Sequence, residues 1–169
     1  MELIGIYLLT QLLLLIVLIF ASIGDIQQRK LLPIIPLALM LLISIPVNTQ
    51  IGDSMPGIGV WMGINAGVTI LITAALYGVN IWRALKDKPR LVGGGDIITY
   101  ATISLVFPVS ILGFTGIWII PASIIIAGIA GLIPKIDKSH KERGHPHIVY
   151  LSIAYAAGVL LQTAGIYII

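Results

Sequence analysis

The sequence predicts an all-α polytopic membrane protein with six transmembrane helices, both termini outside and the basic loops in the cytoplasm. Three observations predict it. The chain of 169 residues is 58% hydrophobic and only 10% charged, and its mean hydropathy of +1.06 lies well beyond that of an ordinary soluble domain. Uncharged apolar stretches recur at 3–24, 31–48, 57–82, 97–133 and 148–169, each close to or above the roughly 20 residues that a helical crossing needs. The ten basic residues are confined to three short segments between those stretches.

The first stretch lacks a basic leader and runs longer than the apolar core of a signal peptide, so it is expected to be a permanent span. The second is short and carries Pro33, Pro36 and Pro46, which predicts a kinked or partly broken helix. Gly57, Gly59, Gly63, Ala66 and Gly67 crowd the third, a composition suited to close helix packing. As one helix, 97–133 would be about 55 Å long at about 1.5 Å per residue, against a hydrocarbon core of about 30 Å. Two short helices joined between Pro108 and Gly116 are therefore expected, followed by a last span over 148–169. No internal repeat interrupts the chain, and residues 1–169 read as a single domain with no room for a separate soluble catalytic unit.

Charge placement selects this division. The basic groups are Arg29 and Lys30; Arg83, Lys86, Lys88 and Arg90; and Lys135, Lys138, Lys141 and Arg143. Six spans put all three groups on one side, whereas a single span over 97–133 would put the third opposite the others, against the positive-inside rule. The net charge of +3 thus reports loop orientation, so the expected surroundings are a lipid bilayer, at the cell's cytoplasmic membrane, and not nucleic acid. Cysteine is absent, which removes disulfides, thiolate zinc sites and a cysteine nucleophile. Trp61, Trp82 and Trp118 are expected as interfacial anchors.

Of the seven acidic residues, Glu2 and Asp53 fall in outside segments, while Asp87, Asp137 and Glu142 lie among lysines and arginines as solvated charges. Asp25 and Asp96 differ. Asp25 directly follows the first apolar run and Asp96 opens the fourth helix, positions where an ionisable group is costly and points to function. In the six-span arrangement both lie at the cytoplasmic face, so they can meet. Two close carboxyls in a poorly solvated site share one proton near neutral pH. The ionised member can then activate water against a carbonyl while the protonated member supports the developing oxyanion. The roles within such a pair belong to the pair and not to either residue. Gly93, Gly94 and Gly95 precede Asp96 and would permit unusual backbone conformations and a close approach of substrate; a flexible loop ahead of a helix whose dipole favours an aspartate is the plainer account.

At these residues the chain resembles the prepilin peptidase family of membrane aspartyl peptidases, which includes the archaeal preflagellin peptidases. Gly24-Asp25-Ile26-Gln27-Gln28-Arg29-Lys30-Leu31-Leu32-Pro33 is similar to that family's aspartate, basic stretch and apolar-proline step, and Gly93-Gly94-Gly95-Asp96 to its GxGD motif. The resemblance, which extends over the six-helix layout, implies Asp25 and Asp96 as the catalytic pair and Gly93 and Gly95 as motif glycines. It implies removal of a short basic leader from type IV prepilin-like or prearchaellin precursors at the cytoplasmic face. Ile34 and Ile98 depart from the polar residues that the family often carries there. The larger bacterial members have a cytoplasmic segment, often with a cysteine zinc site, and also methylate the new N-terminus. A chain without cysteine or such a segment is expected to be a peptidase without methyltransferase activity, needing no cofactor.

His140, His145 and His147 lie in the last basic segment, match no helical zinc signature and are expected as solvated loop residues, so no metal site is expected. Gly144-His145-Pro146-His147-Ile148-Val149-Tyr150 is loosely similar to a proline-containing segment of the family. Three rival readings use the same residues. A small transporter would bind a proton or cation at Asp25 and Asp96, a silent scaffold would use its glycines only for packing, and a presenilin-like GxGD protease would cut within membrane helices. The last would have more spans and a tyrosine where this chain has Gly24.

Overall fold

The computed structural model describes residues 2–28, 34–89, 91–110, 113–132 and 147–168. Arg29, Lys30, Pro33, Arg90, the last basic segment, His140 and His145 lie outside them. The described residues form six helices and one small hairpin: α1 (Glu2–Gln28), α2 (Ile34–Ser54), α3 (Pro56–Ala84), α4 (Gly94–Val106), β1 (Val109–Ser110), β2 (Gly113–Phe114), α5 (Thr115–Gly131) and α6 (His147–Ile168).

Four helices are long and apolar enough to cross a membrane, over Gly5–Ile26, Ile35–Ser54, Gly57–Ala84 and His147–Ala164, and α5 is a shorter apolar helix. The outer surface of the bundle is unlike that of a water-soluble protein. Leu9, Leu12, Ile16, Phe20, Leu71 and Leu160 are exposed, while Gln11, Asn65, Thr69, Thr99, Ser104 and Thr115 are buried at 3% exposure or less. A surface of large apolar side chains is favourable against hydrocarbon, where the helices satisfy their own backbone groups. The chain is a multi-pass membrane protein.

The long fourth stretch does divide. α4 ends at Val106 after 13 residues, roughly 20 Å of helix. The chain reverses through an antiparallel β1–β2 hairpin that pairs Val109 with Phe114 and Ser110 with Gly113. Pro108 accepts a bond from the Thr115 amide across this reversal. α5 then returns beside α4, and the Tyr100 hydroxyl donates to the Gly116 carbonyl at 2.8 Å.

A helix that stops inside an apolar medium leaves its last carbonyls without partners. Here three side-chain amides supply them. Asn65 of α3 donates to Ser104 O at 2.7 Å, Asn48 of α2 to Leu105 O at 3.0 Å, and Gln11 of α1 to Val106 O at 3.1 Å. Asn65 also accepts the Gly116 amide at 2.8 Å, and Gln11 accepts the Tyr155 hydroxyl of α6 at 2.7 Å. α4 is thus the axis to which the other helices are tied, and Tyr100, Ile103, Val106 and Phe107 at its face lie in the core with Leu14, Leu18 and Tyr155.

Some local expectations change. α2 is one helix containing Pro46, not a broken one; Pro36 falls in its first turn, where the missing N–H has no intrahelical partner to lose. Among the small residues of α3 only Gly59 marks a tight crossing, since a Cβ there would meet Gly52 of α2 at 3.0 Å, whereas Gly57, Gly63 and Gly67 face open space. Trp61 and Trp82 are half exposed at opposite ends of α3, and the Lys86 ammonium lies 4.3 Å from the Trp82 ring centroid, in keeping with interfacial anchoring. Trp118 instead packs inward on Gly158 of α6, where an added Cβ would fall 2.6 Å from its ring.

Replacing Asn65 by Ala orphans a carbonyl of α4 and an amide of α5 together. It is expected to cost about 1–3 kcal/mol for each buried group left unpaired, read as a lowered unfolding midpoint in mild detergent. Thr163→Ala, which removes only a hydroxyl bonded to its own helix, is expected to change little; an equal loss for the two variants would contradict the capping role.

Candidate functional site

Four helix ends converge. The C-terminal ends of α1 and α3 and the N-terminal ends of α4 and α6 meet at one end of the bundle, and both aspartates singled out in the sequence lie there. Asp25, in the last turn of α1, is 7% exposed. Its Oδ2 accepts the amide of Ile148 at 3.1 Å, a contact that joins residues 123 positions apart. The first turn of a helix has no internal acceptors for its N–H groups, and its dipole stabilises negative charge beside them. Asp25 therefore serves as a cap for α6 supplied from another helix. One turn further into the bundle, the Ser22 hydroxyl donates to that of Ser152 at 3.0 Å, continuing the α1–α6 seam.

Asp96 sits in the first turn of α4, and its Oδ2 accepts the Gly93 amide at 3.2 Å. This is half of a capping box; Gly93 has no side chain to return the bond. The backbone of Gly93, at φ −62° and ψ 144°, is open to any residue, so conformational freedom does not explain a glycine here. Space does: a Cβ on Gly93 would lie 2.7 Å from Asp96 Oδ2. Gly94 is the first residue of α4 and has nothing within 4 Å of the corresponding position. At Gly93 the group that fills the space of a missing Cβ is the carboxylate of Asp96.

Asp96 lies within electrostatic reach of Asp25 and of His147, so the two aspartates share one end of the bundle. Asp96 also forms part of the wall of a cavity of about 160 Å³, with Leu76, Leu91, Val92, Ile97, Tyr100, Ile120, Ser123, Ile124, His147 and Leu151. The wall is mostly aliphatic, with Tyr100, Ser123 and His147 as the other polar side chains. Such a pocket can hold an apolar side chain beside a carboxyl group.

Two residues of this end were not assigned to the site from sequence. Asn80 of α3, 8% exposed, donates to Val92 O at 2.8 Å and accepts the Leu91 amide at 2.9 Å, pairing with the approach to Gly93 as a neighbouring strand would. Its signal was a carboxamide within an apolar helix, a group that must find partners when buried. His147, grouped from sequence with the loop histidines, is the first residue of α6 and lines the cavity with Asp96. Among the described residues no cluster of three potential ligands could hold a metal ion.

Comparison of the chain with protein-family models, with curated proteins and with solved structures found no match in any of the three.

The two neighbouring glycines are expected to respond in opposite senses. Gly94→Ala fills open space in a helix and should raise stability by about 0.5–1 kcal/mol. Gly93→Ala displaces the Asp96 carboxylate and should lose a cap of about 1 kcal/mol. Unfolding midpoints of the two variants, measured side by side, check this; a stabilising Gly93→Ala would contradict the assigned contact.

Proposed function

We propose that this protein is a membrane aspartyl endopeptidase of the prepilin peptidase type, acting through Asp25 and Asp96. The observation that carries the reading is that these two carboxyls, from helices far apart in sequence, lie at one end of the bundle within electrostatic reach of one another, with Asp96 in the wall of an apolar cavity. Its GxGD segment and the aspartate-basic-proline segment after α1 support the same family.

In this reading the pair holds one proton. The ionised carboxylate takes a proton from a water molecule, whose oxygen attacks the scissile carbonyl. The protonated carboxyl donates to the developing oxyanion, and a proton then passes to the departing amine. Gly93, with no side chain, leaves the Asp96 carboxylate open to an approaching peptide, and Asn80 holds the Leu91–Val92 segment in line with it. Gly94 and Gly95 complete the motif at the first turn of α4.

We read α4 and α5 as two further, short spans, which makes six crossings with both termini outside. Ends of α1, α3, α4 and α6 that lie together are what six alternating crossings require, and Arg83 in the last turn of α3, with Lys86 and Lys88 just after it, lies at that same end. The site then faces the cytoplasm from the cell membrane. The substrates are precursors of type IV pilin-like or archaellin subunits, cut between a short basic leader and an apolar helix, without methylation of the new N-terminus.

The test is cleavage of a prepilin or prearchaellin precursor by the purified protein in lipid vesicles, read as a mobility shift. Wild type is expected to remove the leader. Asp25→Asn and Asp96→Asn are each expected to slow it by about 10²–10⁴-fold, the contribution of a positioned acid or base. Cleavage that survives both substitutions, or none by wild type on any precursor tried, sinks the proposal.

A further inference from the structure

We propose that the furrow between α2 and α3, at the end of the bundle away from the aspartates, is a binding site for one amine-headed phospholipid of the surrounding bilayer. The site stands apart from the peptidase reading and needs only a membrane around the bundle.

Two cavities make the furrow. The deeper one, about 300 Å³, lies where α4 ends, between Ser44 and Ile45 of α2, Met62 and Ala66 of α3, and Leu105 and Pro108. The outer one, about 470 Å³, is bordered by Thr49, Gly52, Asp53 and Gly59, and it shares Asn48 and Met62 with the first. Leu41, Ser44, Ile45, Asn48, Gly52 and Asp53 recur at helical spacing, so both cavities lie along a single face of α2. From Leu41 to Asp53 that face runs about 18 Å, at about 1.5 Å per residue. This is a little more than half of a hydrocarbon core of about 30 Å, so the furrow is as long as one leaflet is deep. Its floor at the outer end is backbone, because a Cβ on Gly59 would lie 3.0 Å from Gly52 Cα.

Hydrogen bonding and charge select the occupant. The donors that border the furrow are already engaged: Ser44 Oγ donates to Leu41 O at 2.8 Å, Asn48 Nδ2 to Leu105 O at 3.0 Å and Thr49 Oγ1 to Ile45 O at 2.8 Å. At the start of α3 the amides of Ile58 and Gly59 are bonded to Met55 O. The groups left over are acceptors. Asn48 Oδ1 receives no bond among the described residues, and Asp53, at the outer end, is exposed. Asp53 is also the only charged residue between positions 31 and 82, and Arg83 lies in the last turn of α3, at the far end of that helix. A headgroup that brings N–H donors and positive charge fits such walls, whereas an anionic one finds neither a donor nor a cation. This is the reverse of the basic pockets that select anionic lipids. The lipid tail occupies the deep cavity against Ile45, Met62, Ala66 and Leu105, and the ammonium meets Asp53 at headgroup level.

Native mass spectrometry tests the site. The protein is reconstituted in vesicles of equal phosphatidylethanolamine and phosphatidylglycerol and extracted in mild detergent, and the lipids it retains are counted. Wild type is expected to keep one lipid and to favour the ethanolamine form about two- to fivefold, the scale of a single exposed ion pair. Asp53→Asn should remove the preference and Asp53→Lys should reverse it. Ala66→Phe should lower retention of both lipids by filling the deep cavity. Ile45→Trp should do the same from a side chain that is exposed and carries no core packing. Leu160→Trp, on the exposed face of α6, should leave retention unchanged. Equal retention of the two lipids by wild type, a preference that Asp53→Lys does not reverse, or retention unaltered by Ile45→Trp overturns the proposal. A dimer without bound lipid assigns the furrow to a second copy of the chain and overturns it as well.

Discussion

The arrangement depends on how α4 ends. A helix of 13 residues is too short to cross a bilayer unaided, and carbonyls left bare in hydrocarbon would cost several kcal/mol each. Gln11, Asn48 and Asn65 remove that cost from three sides, each on a different helix and each donating to a successive carbonyl of the last turn. The bonds also locate α4. Because its C-terminal turn is held by α1, α2 and α3 at once, its N-terminus, and with it Asp96, has a defined depth and direction. The hairpin and α5 are then constrained in turn, since Asn65 also accepts the Gly116 amide in the first turn of α5.

At the aspartate end the same logic operates with the polarity reversed. There the unpartnered groups are N–H donors at the starts of α4 and α6, and carboxylates meet them: Asp96 takes the amide of Gly93 and Asp25 that of Ile148. Polar residues inside the bundle thus divide by chemistry. Carboxamides, which cannot change charge, close helix ends at the buried turn, whereas ionisable groups gather where the cavity opens among four helix ends. Asn80 belongs to the first class by chemistry and to the second by place, and it holds the segment that delivers Gly93.

Much of this was legible in the residues, and the parts that were not share a cause. The split of 97–133 followed from length against bilayer thickness, and the shared end of Asp25 and Asp96 followed from helix alternation. Both are one-dimensional facts. The capping amides were not foreseen, because Gln11, Asn48 and Asn65 lie on three helices and their meeting at Ser104, Leu105 and Val106 is a property of packing. Gly93 stands out in the sequence for backbone freedom and for close approach of a substrate; its backbone is ordinary, and the Asp96 carboxylate lies where a Cβ would reach, a contact that spacing along the chain does not reveal. His147 reads from sequence as a loop residue, whereas the last helix begins with it.

Asp25 has two tasks, and they constrain one another. It caps α6 and, in the proposed function, forms half of the acid pair. α1 and α6 are further joined by Ser22 to Ser152 and by Tyr155 to both the carbonyl and the side chain of Gln11. A displacement of Asp25 toward Asp96 therefore either breaks the bond to Ile148 or carries α6 with it, and the additional bonds favour the second. His147 would move in the same step, because it precedes Ile148 on that helix. The separation of the two carboxyls is thus set less by the rotamer of either aspartate than by where α4, anchored at its far end by three amides, stands against the α1–α6 pair.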